Sequence, residues 1–207
     1  MKTNMYRWID SVLASDKRIA LPIMTHPGIE LLGKKVIDAV RDGETHAAVI
    51  RAVNERYPSA GSTVIMDLTV EAEAFGCEIG FPENEIPNVV GRLLSGPEDV
   101  EKLKVPSLDE GRVPQYLLAN RLAVETITDK PVFGGCIGPF SLAGRLYDMT
   151  EIMMAMYTEP DTARLLLDKC TTFLTEYCRA LKKAGVNGIV MAEPAAGLLS
   201  DADCREF

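Results

Sequence analysis

Residues 158–192 read TEPDTARLLLDKCTTFLTEYCRALKKAGVNGIVMA, and this stretch indicates the fold. Its opening Thr-Glu-Pro-Asp resembles a capping box with proline in the first turn, so we expect a helix from about residue 158 to residue 184. Gly185 is the expected stop, because glycine readily takes the left-handed conformation that ends a helix. The apolar run 188–192 is typical of a strand buried on both faces. A long amphipathic helix followed by such a strand is the repeating unit of a parallel α/β sheet.

The same alternation of helices and strands runs through the rest of the chain. No repeat and no Pro/Ser-rich linker marks a boundary, so we expect a single domain over residues 1–207. The remaining predicted strands lie at 19–24, 63–68 and 131–137, the remaining predicted helices at 5–14, 35–42, 45–56, 98–103 and 113–126, and a hairpin or lid at 77–87.

Two architectures place parallel strands between helices: a doubly wound sheet and a (β/α)8 TIM barrel. The glycine-rich turn of dinucleotide-binding folds is missing, because Gly134 to Gly138 lie within a predicted strand and its exit. We therefore expect the barrel. Four strands are visible where a barrel has about eight, so we expect this chain to supply about the first four βα units, as the N-terminal part of a longer protein. The alternative is a self-sufficient small α/β binding module.

Composition restricts the classes of function. The chain carries 30 acidic and 22 basic side chains, a formal net charge of −8, which argues against binding to nucleic-acid phosphates or to an anionic membrane surface. No apolar stretch approaches the roughly 20 residues of a membrane span and no secretory signal is recognisable, so the expected location is the cytoplasm. The 5 cysteines show no C-x-x-C spacing, which argues against a disulfide framework or a self-contained zinc ribbon.

Polar residues follow the predicted strands, where a barrel carries its reactive groups. Asp67 and Glu193 are carboxylates that end apolar strands, and a carboxylate is costly to bury unless it meets a partner or a ligand. Each is therefore a candidate catalytic residue. The alternatives are a helix cap for Asp67 and an ordinary ion pair for Glu193.

Two basic residues also follow predicted strands. His26 follows the first and could act as an acid, a base or a hydrogen-bond donor, although a loop histidine often does none of these. Arg145 follows the third and could hold an anionic group of a substrate or face solvent. His46 lies on an apolar helix face, which favours a half-buried structural histidine. Cys136 has no histidine placed to activate it, so we expect an inert thiol.

Three segments resemble the uroporphyrinogen decarboxylase superfamily. Residues 64–79 read VIMDLTVEAEAFGCEI, residues 138–142 read GPFSL and residues 193–197 read EPAAG, in the same order as in that family and covering the front part of a member. The resemblance implies a (β/α)8 barrel and one of two chemistries. One branch removes acetate carboxyl groups from a tetrapyrrole without a cofactor. The other, the methylcobamide:coenzyme M methyltransferases and their relatives, moves a methyl group from corrinoid-bound cobalt to a thiol held on zinc.

The sequence departs from the decarboxylase pattern. Decarboxylases carry Met-Arg-Gln-Ala-Gly-Arg after the first strand, and its arginines hold substrate carboxylates, whereas residues 24–29 here read MTHPGI. Arg145 replaces a decarboxylase tyrosine, while Asp67 matches an aspartate kept in both branches. Without the arginines, each buried substrate charge would cost several kcal/mol. The resemblance therefore favours a methyltransferase-like protein, with a decarboxylase or a non-catalytic corrinoid- or tetrapyrrole-binding member as the alternatives.

The methyltransferase resemblance also implies a cofactor and partners. Zinc would lower the pKa of a small thiol substrate, and a partner corrinoid protein would supply the methyl group. The family's zinc ligands, a His-x-Cys pair and a distant cysteine, are expected beyond Phe207, so no metal ligand is assigned here and this portion alone is expected to be inactive. Asp67 and Glu193 would orient the thiol or the groups around it. The residues expected to bind substrate or line the mouth where the corrinoid partner docks are His26, Phe140, Arg145 and Tyr147.

Overall fold

The structure, a computed structural model, describes residues 3–207 as an α/β fold. None of the helices in this range has both the length and the apolar character needed to cross a membrane. The strands are β1 (Ser62–Thr63), β2 (Ile79–Gly80), β3 (Asn88–Val89), β4 (Val132–Ile137) and β5 (Gly188–Ala192). The helices are α1 (Met5–Leu13), α2 (Pro27–Leu31), α3 (Val36–Arg41), α4 (Gly43–Arg56), α5 (Val70–Ala74), α6 (Pro97–Lys102), α7 (Val113–Thr126), α8 (Pro139–Tyr147), α9 (Met149–Thr158), α10 (Pro160–Ala184) and α11 (Asp201–Glu206), with a short 3-10 helix at Ala196–Leu198.

A parallel sheet of three strands, in the order β1-β4-β5, forms the centre of the described chain. Ser62 in β1 pairs with Val132 in β4, and β4 pairs along its length with β5 from Phe133–Gly188 onward. Helices α4, α7 and α10 pack against these strands. Parallel strands joined through helices confirm the α/β class.

Helix α10 ends where its sequence predicts, but it begins at Pro160 without the expected capping box, because Thr158 is the last residue of α9. It ends at Ala184, and Gly185 follows with a φ of 103°, the left-handed conformation that stops a helix. One face of the helix is buried in the main core, including Leu166, Tyr177 and Leu181. Helix α7 is likewise confirmed, and α1, α3, α4 and α6 form at the predicted places with shifted ends.

The strand predicted at residues 19–24 does not form, which corrects the sequence interpretation. This segment touches the β1 region at separate points: the Ala60 N–H donates to the Ala20 carbonyl oxygen at 2.8 Å, and Thr63 Oγ1 donates to the Pro22 carbonyl oxygen at 3.4 Å. Pro22 has no N–H and cannot continue a ladder of hydrogen bonds. The apolar run therefore lies beside the sheet without joining it.

The strand predicted at residues 63–68 is also wrong in extent, because β1 ends at Thr63. Beyond that point, backbone N–H groups donate hydrogen bonds to side chains and not to the backbone of β4. The Ile65 N–H donates to His46 Nε2 at 2.9 Å, and the Thr69 N–H donates to Asp67 Oδ1 at 3.0 Å. The ladder therefore stops at Thr63, before the apolar residues 64–66.

The segment predicted at residues 77–87 as a hairpin or lid forms a hairpin of β2 and β3, and β3 lies just beyond the predicted range. Ile79 pairs antiparallel with Val89. The segment after β3 is anchored to α8, because the Leu93 and Leu94 N–H groups both donate to the Leu146 carbonyl oxygen, at 3.1 and 3.0 Å. The hairpin therefore forms a wall beside α8, next to the carboxyl ends of the strands.

Candidate functional site

Asp67 lies in a buried network of hydrogen bonds just after β1. It is 4% exposed. Its Oδ1 accepts from the Thr69 N–H at 3.0 Å and from Thr69 Oγ1 at 2.7 Å. Its Oδ2 accepts from the Tyr116 hydroxyl at 3.2 Å and from the guanidinium of Arg112, with which it forms a buried salt bridge. The carboxylate has thus met the partners that its burial requires. It binds the N–H and the hydroxyl of Thr69, the N-cap residue of α5, and not the N–H groups of the first turn of α5.

Arg112 holds this network together and was not identified from the sequence. Its Nε donates to Glu73 Oε2 at 2.5 Å, its Nη2 to Thr69 Oγ1 at 2.8 Å and its Nη1 to the Val40 carbonyl oxygen at 3.3 Å, besides the bond to Asp67. Burial favours the neutral form, but Asp67 outweighs it and raises the pKa of Arg112, so the guanidinium stays charged. One arginine therefore ties the strand end to α5 and α7.

Glu71 is a second buried carboxyl group that sequence reasoning did not single out. It is 2% exposed, its Oε1 accepts from the Ile137 N–H at 3.0 Å, and its Oε2 has no hydrogen-bond partner within residues 3–207. Burial raises the pKa of Glu71 to about 7. It borders a small void together with Asp67, Tyr116 and Tyr177. The available signal was a glutamate inside the otherwise apolar Thr-Val-Glu-Ala phrase.

Glu193 leaves β5 and caps the first turn of α8. Its Oε2 accepts from the Phe140 N–H at 2.9 Å, and its Oε1 accepts from the Ser141 N–H at 2.8 Å and from the Ser141 hydroxyl. These N–H groups have no partner inside the helix and lie at the positive end of its dipole. A methyl group on Gly138 would collide with the carboxylate, so glycine permits this close approach. Within the described residues Glu193 is a helix cap and forms no ion pair.

The two histidines lie on the β1 side of the molecule. His26 precedes α2 and is half-buried, and its Nε2 is buried with no hydrogen-bond partner in the described range. His46 is 1% exposed, and burial lowers its pKa to about 3, so it is neutral when it accepts from the Ile65 N–H. The structural role predicted for His46 is confirmed, with complete rather than half burial.

The other three predicted residues lie on α8, two of them in the core and one at a cavity. Phe140 and Tyr147 are buried in the main hydrophobic core. Arg145 lines a cavity of about 360 Å³ between the hairpin, α8 and the loop after β5. The walls of this cavity include Leu68, Asn88, Ser141, Asp148 and Pro194.

A larger cavity, about 680 Å³, lies between α10 and the flank of β5, and its wall includes Leu174, Cys178, Ile189 and Met191. Ligands of parallel α/β sheets bind at the carboxyl ends of the strands, where polar groups converge. The smaller cavity has that position, because it touches the segments that follow β1, β4 and β5. It is therefore the candidate site, with Asp67 and Glu71 around the small void beside it, since Leu68 borders both.

The described residues do not assemble a metal site. Among residues 3–207, no three His, Cys, Asp or Glu side chains are placed to hold an ion. Cys77, Cys136 and Cys170 are buried, Cys178 is half-buried and Cys204 is exposed. The neighbouring Cys178 thiol, together with burial, raises the pKa of Cys136 above its ordinary value. An unactivated Cys136 agrees with the inert thiol expected from the sequence.

Comparison with known proteins places these features in context. The family model described as uroporphyrinogen decarboxylase matches residues 18–207. A protein of Methanosarcina acetivorans named methylcobamide:CoM methyltransferase MtbA is 33% identical over 161 residues, which cover 77% of this chain and 47% of that protein. A uroporphyrinogen decarboxylase of Vibrio campbellii is 30% identical over 159 residues, which cover 73% of this chain and 44% of that protein.

The fold has a similar solved structure. A methyltransferase from Methanosarcina mazei superimposes with a TM-score of 0.84 and 29% sequence identity, over 93% of this chain and 59% of that chain. The chain thus spans about half the length of the curated relatives that it matches.

Proposed function

The chain belongs to the uroporphyrinogen decarboxylase family, and from this premise we propose that it is methyltransferase-like, moving a methyl group from a methylated corrinoid protein to a small thiol. The observation that carries the proposal is the absence of the decarboxylase arginines: residues 24–29 read MTHPGI, and His26 stands where α2 begins. A carboxylated tetrapyrrole would leave several charges unpaired there, at several kcal/mol each. The 33% identity to a protein named as a methyltransferase supports the same branch.

We propose that Asp67 and Glu193 form the framework of the site. Asp67 acts through Arg112 and Tyr116, because all its bonds go to buried protein groups and hold the end of β1 in place. Glu193 holds the start of α8 against the end of β5. The two carboxylates thereby position the walls of the 360 Å³ cavity, in which the thiol would be oriented.

We propose different roles for the four other candidate residues, which are Arg145, His26, Phe140 and Tyr147. Arg145 binds substrate from the cavity wall. The buried, unpartnered Nε2 of His26 is available as a hydrogen-bonding group near the mouth. Phe140 and Tyr147 support that mouth from the core, and the corrinoid partner would dock outside it.

Zinc activation of the thiol, which the resemblance implies, finds no ligand set in residues 3–207. Cys136 and Cys178 have no third His, Cys, Asp or Glu placed to complete a site within residues 3–207, and His46 accepts from the Ile65 N–H, so these donors do not fit a zinc centre. In the proposed reaction, residues 3–207 therefore bind and orient the substrate and exclude water. The family resemblance places zinc ligands in a later part of an eight-stranded barrel, to which we propose this chain contributes the first βα units.

The free thiols agree with action in the cytoplasm, where cysteines stay reduced. The proposal is tested by following loss of the cobalt–methyl absorbance of methylcobalamin with added thiol and zinc, beside an assay for decarboxylation of uroporphyrinogen. We expect thiol methylation when these residues are joined to the rest of a family barrel, and no decarboxylation. Decarboxylation would assign the protein to the other branch, which the 30% identity to a decarboxylase makes the second candidate. Binding of either tetrapyrrole without turnover would indicate a non-catalytic member.

A further inference from the structure

Two free cysteines lie next to each other where α10 packs against β4. Cys136 is a buried residue of β4, and Cys178 is a half-buried residue of α10. Cys178 packs against the core cluster that contains Cys136, and each thiol is the largest influence on the pKa of the other. The pair therefore forms part of the contact between a central strand and the longest helix.

The two thiols border different cavities. Cys178 lies in the wall of the cavity of about 680 Å³ between α10 and β5. Cys136 instead borders the small void that Asp67 and Glu71 also border. A small molecule that enters the larger cavity therefore meets Cys178, and Cys136 lies behind it. Among residues 3–207 the remaining cysteines border neither space: Cys77, Cys170 and Cys204.

The two thiols also differ in reactivity. Cys136 lowers the pKa of Cys178 to about 7, so much of Cys178 is thiolate, the nucleophilic form, at neutral pH. The neighbouring Cys178 and burial raise the pKa of Cys136, so this thiol stays protonated. A thiolate that an oxidant can reach, with a second thiol beside it, is the arrangement in which oxidation ends in a disulfide.

We propose that hydrogen peroxide, entering the larger cavity, oxidises Cys178 and that Cys136 then closes a reversible disulfide with it. In the first step the Cys178 thiolate attacks one peroxide oxygen. The S–O bond forms as the O–O bond breaks, the leaving hydroxide takes up a proton from water, and Cys178 becomes a sulfenic acid. In the second step the Cys136 sulfur attacks the Cys178 sulfur. The S–S bond forms as the S–O bond breaks, and the hydroxyl leaves as water with the Cys136 proton.

Cys136 takes part only after Cys178 has been oxidised. In the reduced protein the negative charge on Cys178 disfavours loss of the Cys136 proton, and the sulfenic acid no longer carries that charge. The disulfide joins α10 to β4 beside the void that Asp67 and Glu71 border, so the oxidation state of the pair acts on a wall of the candidate site. The proposal goes beyond methyl transfer and does not depend on it.

The first test identifies the sulfurs that become linked. The folded protein is treated with hydrogen peroxide, remaining thiols are blocked with N-ethylmaleimide, and tryptic peptides are analysed by mass spectrometry without reduction. We expect a linked peptide pair that joins Cys136 to Cys178 and that dithiothreitol separates. Cys170 lies in the same tryptic peptide, 170–179, so fragment spectra assign the linked sulfur. The matched control Cys204→Ser, which removes the exposed thiol, should form the same link, whereas Cys178→Ala should not.

A second test follows the intermediate. Dimedone captures sulfenic acids, and Cys136→Ala should form the sulfenic acid of Cys178 more slowly but accumulate at least about tenfold more of it than the wild type, because the second thiol is missing. Oxidation of the wild type without a link between Cys136 and Cys178, or equal dimedone labelling of Cys178 in both proteins, overturns the proposal. Circular dichroism checks the fold, and if Cys136→Ala is unfolded, the linked peptide of the wild type decides the result.

Discussion

The buried Glu71 should make the stability of the protein depend on pH in a way that one substitution removes. The carboxyl group is 2% exposed, accepts one hydrogen bond from the Ile137 N–H and leaves Oε2 without a partner. Burial therefore disfavours its charged form and raises the pKa of Glu71 from 4.5 to about 7. Glutamine has nearly the same shape and no charge, so Glu71→Gln isolates this effect.

The direction of the effect follows from proton uptake. Between about pH 4.5 and 7 the folded protein keeps the Glu71 proton while the unfolded chain has lost it, so the free energy of unfolding falls as the pH rises through this range and stays level above it. The difference in pKa corresponds to about 3 kcal/mol. Glu71→Gln should therefore be about as stable as the wild type near pH 4.5 and about 3 kcal/mol more stable near pH 8.

Urea unfolding followed by circular dichroism at several pH values measures this difference. Other titrating groups change stability in both proteins and cancel when the variant is subtracted from the wild type. Glu78→Gln, an exposed glutamate of the same segment, is the matched control and should show no such difference. A Glu71→Gln difference that does not change with pH, or one that falls above pH 7, would refute the reasoning that burial holds Glu71 in its protonated form.

Three further substitutions test the contacts around the strand ends. Asp67→Ala removes one of the two carboxylates that pair with the buried arginine, so it should lower the free energy of unfolding by about 3–5 kcal/mol in urea titration. A loss below about 1 kcal/mol would contradict a buried salt bridge. Gly138→Ala introduces a methyl group that collides with the capping glutamate of α8, and a melting curve should show a destabilisation of about 1–3 kcal/mol; Gly138→Ala behaving as the wild type would contradict the close approach. The hydrogen bond from Cys136 lowers the pKa of Cys178, so peptide mass spectrometry after iodoacetamide treatment near pH 7 should show faster alkylation of Cys178 in the wild type than in Cys136→Ala.

The long helices α4, α7 and α10 were predictable, α2, α8 and α9 were not predicted, and the strands were predictable only where neighbouring strands completed them. Helix α10 ends before Gly185 as expected, because the stop glycine and the apolar spacing lie within the local sequence. β5 has the predicted boundaries because β4 lies directly beside it. The apolar run at residues 19–24 had the composition of a strand but contains Pro22, and the ladder of β1 was ended by the side chains of His46 and Asp67.

The sequence identified residues of the candidate site, but it did not predict the role of each residue. Asp67 and Glu193 were singled out because a carboxylate at the end of an apolar strand needs a partner. The partners themselves, Arg112 for the first and the start of α8 for the second, were not foreseen. Glu71 was passed over because its one local signal, the apolar residues on either side of it, does not distinguish a buried glutamate from an exposed one.

The sequence by itself determined the α/β class, the long helix α10 and the family to which the chain belongs, because capping residues, apolar periodicity and contiguous motifs act within a few residues of each other. Only the tertiary structure decided what the polar residues do. Asp67 and Arg112 are 45 positions apart, Glu193 and Phe140 are 53 apart, and Glu71 and Ile137 are 66 apart. A carboxylate has no fixed role until burial removes water and the packed chain brings a particular donor to it.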